Sequence, residues 1–240
     1  MLDMGTHLST KLINIFSPNN QFADKIKHEI VPKLEYAFTP GYNQDDLPFF
    51  DELDRIEEQN SLTWSLTNTF ISKKTRISPK GKEITNYHNM AYFKLYQSYD
   101  IEKERDKQTR PFSDISLDLE FAPNEFISND MDVSWSPYDN HFKTLNIGNT
   151  IKTNRGDSLR TGYRYTSSTS ESVYSRIDAN LTDELSAYCS IEKNLDTDKT
   201  VETQAGVTVK KSCWGLNLYF SNSSDEQSIA FLINLHGIGE

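Results

Sequence analysis

The side chains that could act on a substrate are dispersed along this sequence. The histidines are His7, His28, His88, His141 and His236. None stands in an HExxH pattern or an i,i+4 pair, which would place two imidazoles on one metal ion. They read as isolated polar side chains on strands and loops. The nucleophile elbow G-x-S-x-G, the Walker loop and G-x-G-x-x-G are absent. Serines are plentiful, and a catalytic triad can be assembled from distant residues, so a hydrolase site in a β wall stays open. Cys189 and Cys213 are too few for a disulfide scaffold and lack metal-site spacing. The charged residues show more order. Asp114, Asp118, Glu120, Asp130 and Asp132 recur at even spacing, and Arg160, Arg164 and Arg176 follow.

That spacing belongs to strands. From 114 to 121 the chain reads DISLDLEF, with Ile115, Leu117, Leu119 and Phe121 on one face and the carboxylates on the other. Segment 130–135 sets Met131, Val133 and Trp135 against Asp130, Asp132 and Ser134. Segment 143–151 sets Leu145, Ile147 and Ile151 against Thr144, Asn146 and Thr150. Segment 159–165 sets Leu159, Tyr163 and Tyr165 against Arg160, Gly162 and Arg164. The same alternation runs through 26–38, 62–71, 173–181, 185–191, 201–209, 214–220 and 229–235, and more weakly through 8–16 and 87–98. The total is about thirteen strands, with no credible amphipathic helix between them. Ten residues at about 3.3 Å each, tilted by about 45°, climb roughly 23 Å, close to the apolar band of a membrane barrel at about 25 Å. The fold predicted is an all-β, transmembrane, antiparallel β-barrel.

On such a wall the five carboxylates line an acidic polar face and the three arginines the next strands. One reading makes them contacts for a polar ligand or a second protein in the lumen; the other is that a wet lumen asks only that they be polar. Paired carboxylates for glycoside hydrolysis would need a separation of about 5–9.5 Å, which spacing along the chain leaves open. Trp64, Trp135, Trp214, Tyr163, Tyr165, Tyr219 and Phe220 suit aromatic girdles or ordinary strand packing.

Composition agrees with a barrel. Mean hydropathy is −0.65, yet a wall that alternates apolar-out and polar-in averages to a soluble-looking value. No apolar run approaches the eighteen residues of a membrane helix. Net charge is −10, which argues against nucleic acid as a partner. The opening Met1-Leu2-Asp3-Met4 has neither a basic nor an apolar leader region, so no signal peptide is read there. Short connections at Thr182-Asp183 and Lys211-Ser212 read as periplasmic turns, and 194–199 and 222–227 as longer outer loops. Counting back places 39–60 and 99–111 outside. Segment 73–86 is long yet counts as periplasmic. An odd strand count without a leader suggests a fragment, since bacterial barrels have even numbers.

Two stretches carry a resemblance. The first is His28-Glu29-Ile30-Val31-Pro32-Lys33-Leu34-Glu35-Tyr36, then Gln44-Asp45 and Leu47-Pro48-Phe49-Phe50-Asp51. The second is Ser212-Cys213-Trp214-Gly215-Leu216, then Ile233-Asn234-Leu235-His236-Gly237-Ile238-Gly239. Together they resemble the LptD family of lipopolysaccharide-assembly proteins, which carries an H-x-I-x-P-x-L-x-Y segment, a Q-D-x-x-P-x-F-D segment, a C-C-W/Y motif and a closing L-x-G-L-G. The resemblance spans the chain, although the middle matches by pattern only.

The resemblance implies a barrel of about twenty-six strands, of which residues 1–240 form the C-terminal part. The periplasmic jelly-roll and the first barrel strands are absent, and the lip of a lateral opening lies near 228–238. It implies a non-enzymatic transporter in the cell outer membrane that inserts lipopolysaccharide into the outer leaflet. Its partners would be an LptE-type plug lipoprotein, an LptA-type periplasmic bridge acting through the absent domain, the barrel-assembly machinery and outer-membrane lipids, with no cofactor. The family carries two adjacent cysteines; here the first is Ser212. Cys213 remains as the candidate for an interdomain disulfide. Cys189 lies on an apolar face and a whole strand, 200–210, separates it from Cys213, so no internal bond is expected. The rival readings are a porin or barrel-embedded lipase, and a soluble all-β binding domain.

Overall fold

Alternation in the sequence becomes antiparallel pairing in the structure. A computed structural model describes residues 3–18, 23–42, 57–106, 110–223 and 226–235. Among the described residues fourteen strands form one sheet in chain order, with β2 off that path on the edge of β3. The chain divides into two units, Met1–Asp118 with Val133–His141, and Leu119–Asp132 with Phe142–Glu240.

In the first unit, β1 (Met4–Ser9) and β2 (Leu12–Phe16) both pair with β3 (Lys25–Thr39). The single strand expected at 8–16 is therefore two. Pro32 is the cause. Both pairings keep one register, with Ser9 opposite Lys33 and Leu12 opposite Ile30. Between them the Thr10 N–H donates to the Pro32 carbonyl at 3.3 Å, but proline has no N–H to return. The ladder breaks on that side only; on the other, Pro32 stays in register with Leu66 of β4 (Gln59–Ile77).

Strand β4 runs 19 residues and β5 (Glu83–Asp100) runs 18. They pair from Ser61↔Asp100 to Ile77↔Glu83, with one irregularity at Phe70/Ile71. The span 73–86 is thus a hairpin tip rather than a loop. The Ser78 N–H donates to the Lys82 carbonyl at 2.8 Å, and Gly81 adopts φ +75° to close the turn. The connection between β4 and β5 is only 78–82, so the length that conflicted with the count is gone. The charged run after β5 forms a short helix, α1 (Ile101–Arg105), whose N-cap Asp100 accepts the Lys103 N–H at 3.0 Å.

β6 (Ile115–Asn124) and β7 (Ile127–Ser136) follow. Then come β8 (His141–Lys152), β9 (Ser158–Thr166), β10 (Ser170–Asn180), β11 (Leu185–Asn194), β12 (Lys199–Lys210), β13 (Trp214–Ser223) and β14 (Gln227–Leu235). In the second unit the connections 153–157, 181–184 and 211–213 span five, four and three residues, against three and four for 167–169 and 195–198. The loop-length contrast expected there is absent. Side chains close the turns at both ends, as when Asn194 accepts the Thr197 N–H at 2.8 Å and Thr182 Oγ1 accepts the Leu185 N–H at 3.0 Å.

Register then sorts the faces. One row reads Ile151, Leu159, Ile177, Cys189, Ala205, Phe220 and Ile229 across seven strands. The adjacent row reads Thr150, Arg160, Arg176, Ser190, Gln204, Ser221 and Ser228. The apolar row is the exposed one. Ile177 is 56 % exposed and Ile229 77 %, whereas Ser190 and Ser221 are buried. Among the described residues the buried hydrophobic core is Ala23 alone. In water so wide an apolar face would be a liability; in hydrocarbon it is the stable arrangement. A slip of one residue would exchange the rows entirely.

Candidate polar-face site

The polar face is the candidate site, and it is built separately in each unit. In the second unit Arg160 of β9 and Arg176 of β10 are direct cross-strand partners. Like charges so placed repel. Asp178, two residues beyond Arg176 on the same face, neutralises them. Its carboxylate accepts Nε and Nη2 of Arg176 at 3.0 and 2.8 Å and Nη2 of Arg160 at 2.9 Å. Ser158 Oγ donates to the same carboxylate at 3.3 Å. The Arg176 guanidinium also lies 4.0 Å from the centroid of the Tyr188 ring on β11.

Tyr188 in turn covers Gly206 of β12. A β-carbon there would stand 2.6 Å from the ring, so this position must remain glycine for the ring to lie flat. Arg164 reaches towards Glu192 at 3.8 Å, and Ser172 Oγ donates to Glu192 at 3.3 Å. Glu202 accepts from Gln204 at 2.9 Å and from Ser221 at 2.6 Å. The predicted arginines therefore share one face. Asp178, Tyr188, Glu192 and Glu202 were missed, although S-V-Y-S-R-I-D-A-N carries Tyr174, Arg176 and Asp178 at even spacing.

The expected acidic residues divide between the units. Asp114 accepts Ser134 Oγ at 3.2 Å in the first unit. Asp130, in the second, lies over Gly148, where a side chain would collide with its carboxylate. Glu120, Asp130 and Asp132 are exposed and Asp118 is half-buried.

On the polar face of the first unit the sequence reading passed over a run of alternating charge in β3. Glu29 accepts Lys11 at 2.7 Å and Lys27 at 2.6 Å, and Glu35 pairs with Lys33 at 2.7 Å. Lys25, Lys27, Glu29, Lys33 and Glu35 stand at every second position, apart from Val31, so the signal was present. A groove of about 510 Å³ at the α1 end is lined by Glu57, Glu58, Asp100, Glu102 and Asp106 beside Lys103.

Among the described residues no group of three or more His, Cys, Asp or Glu could hold a metal ion. His28 instead stacks on Phe70 with centroids 4.1 Å apart and bonds Asn68 Oδ1 at 3.1 Å.

The turns are tied by charge. Asp157 accepts the Asn180 N–H at 2.7 Å and Nε of Arg155 at 2.8 Å. Arg155, then the Asn180 N–H, hold its carboxyl below the ordinary carboxylate value. Cys213 is free and exposed in the turn before β13, and Cys189 is free on the apolar row. The two halves of the second motif meet at the sheet's last pairing, where Trp214 faces Leu235. Gln44, Asp45, Pro48, Gly237 and Gly239 lie outside the described residues. Trp64, Trp214 and Phe220 are partly exposed on the apolar face. Tyr219 is not with them, because its partners Gly206 and Ala230 put it on the polar side.

Comparison with known proteins gives three findings. A porin triple mutant from Rh. blastica aligns at TM-score 0.43 and 7 % identity, covering 95 % of this chain and 89 % of its own. The LPS-assembly protein LptD of Thiobacillus denitrificans is 25 % identical over 238 residues, covering 87 % of this chain. This chain spans 31 % of that relative's length. The pattern of the family described as LPS transport system D matches residues 10–198. Members of this family are outer-membrane β-barrels that act in lipopolysaccharide transport and assembly. Exposed apolar rows backed by sheltered polar rows are what a strand wall in that membrane requires, and this chain belongs to the LPS transport system D family.

Proposed function

We propose that this chain is a barrel-wall portion of a lipopolysaccharide translocon and supplies the C-terminal strands of its barrel. The observation that carries the reading is the family match over residues 10–198. The faces of the sheet support it physically. Lipopolysaccharide is amphipathic, so its glycan needs a wet polar path and its acyl chains need a lateral exit into lipid. The charged and hydroxylated polar face offers the first. The last strand, β14, carries no charge and no proline and offers a lip for the second. The wall has no catalytic role in this reading.

The partners proposed are lipopolysaccharide, a plug lipoprotein of the LptE type, a periplasmic bridge of the LptA type reached through a preceding domain, and the barrel-assembly machinery. Cys213 is proposed as the thiol that ties the wall to that domain. Depletion of the protein in its own cells tests the function. Lipopolysaccharide should fall at the surface and accumulate at the inner membrane. Normal surface lipopolysaccharide with loss of small-solute uptake would favour a porin instead.

A further inference from the structure

The polar face of the second unit holds a small island of positive charge in a chain of net charge −10. Two adjacent rows form it. One reads Thr150, Arg160, Arg176 and the other Lys152, Ser158, Asp178. Cross-strand neighbours stand about 4.5–5.5 Å apart, and successive same-face residues about 6.6 Å. Six positions therefore occupy a patch of about 10 Å by 7 Å, across which long side chains can converge on one small anion.

The three cations are not equivalent. Arg176 is committed, with Nε and Nη2 on Asp178 and its plane on Tyr188. Arg160 gives only Nη2 to Asp178 and keeps its other N–H groups. The Lys152 ammonium has no ion-pair partner among the described residues. With one carboxylate against three cations, the patch carries a net charge of about +2.

We infer that Lys152 and Arg160, with the Thr150 hydroxyl between them, form a subsite for a phosphomonoester on the polar face. Guanidinium and ammonium suit a doubly charged tetrahedral anion, Arg through its planar fork and Lys as a point charge. A neutral sugar gains nothing from either charge. Asp130, over Gly148 one row further along the strand, bounds the patch with negative charge and keeps an anion from sliding along β8. The inference deepens the transport reading, on which it rests for the source of the phosphate: a phosphorylated glycan rather than free inorganic phosphate.

The full-length protein in lipid nanodiscs tests it by ligand-observed NMR, with glucose 1-phosphate, inorganic phosphate and glucose as probes. Glucose 1-phosphate should bind saturably, glucose should not, and inorganic phosphate should bind more weakly. Raising the salt should weaken the sugar phosphate, because the contacts are half-exposed. Lys152→Gln and Arg160→Gln should each weaken it about tenfold, and Lys152→Arg should restore it.

Equal behaviour of glucose and glucose 1-phosphate on the unaltered protein would overturn the inference without any variant. So would unchanged affinity in the double Gln variant. Tighter inorganic phosphate than sugar phosphate would overturn the glycan source. These readouts are independent of transport, so normal surface lipopolysaccharide after depletion would sink the functional reading and leave the anion site standing.

Discussion

Replacing Asp178 by Asn should unbalance the polar face, and the structure sets the size of the effect. The carboxylate receives two N–H groups from Arg176, whose side chain is 24 % exposed, and one from Arg160, which is 50 % exposed. A bidentate, half-buried contact of this kind is worth about 1–2 kcal/mol. The more exposed Arg160 contact adds roughly 0.5 kcal/mol after screening. Without the carboxylate the two guanidiniums face each other across β9 and β10, a repulsion of about 0.2–1 kcal/mol. The sum is about 2–3 kcal/mol.

Urea titration of the refolded protein in lipid vesicles, read by tryptophan fluorescence, measures it as a shift in midpoint at constant slope. The cycle with Arg160→Gln isolates the repulsion. Asp178→Asn should cost less when Arg160 is already neutral, because one of the opposed charges has gone. A cost below about 0.5 kcal/mol, or one of equal size in both backgrounds, would refute the idea that Asp178 exists to reconcile the two arginines.

Three further outcomes follow from the faces and turns. Ile177→Arg should destabilise the wall by about 2–4 kcal/mol if its row faces the bilayer midplane; because Ile177 is already 56 % exposed, an unchanged urea midpoint would instead indicate water on that side. In membranes a water-soluble maleimide should label Cys213, in its turn, and spare Cys189, on the apolar row; labelling of both at similar rates would deny that the row meets lipid. Asp157 titrates below its ordinary 3.8, so its contribution to the turn is complete above that value and is lost as pH falls through the depressed one. The hydrogen-exchange protection of the Asn180 N–H, relative to its intrinsic rate at each pH, should fall in acid, and Asp157→Asn should abolish that acid-dependent step; a protection profile unchanged by the substitution would contradict the assignment.

Much of the wall was legible in the sequence because strand period and side-chain face are the same signal. DISLDLEF has one arrangement in which four apolar residues share an environment, and a pleated strand provides it. The same parity put Arg160, Arg164 and Arg176 on one face. The motif residues His28, Pro32 and Trp214 identified the family because they stand in order near both ends of the chain.

Partners across strands were another matter. No single segment contains the fact that Arg160 faces Arg176, that Tyr188 lies over Gly206, or that Asp130 fills the space above Gly148. Those depend on register, which is fixed by turns and by neighbours tens of residues away. Pro32 illustrates the division. Its missing N–H was written in the sequence, but only the pairing with Thr10 on one side and Leu66 on the other decided which ladder it would break.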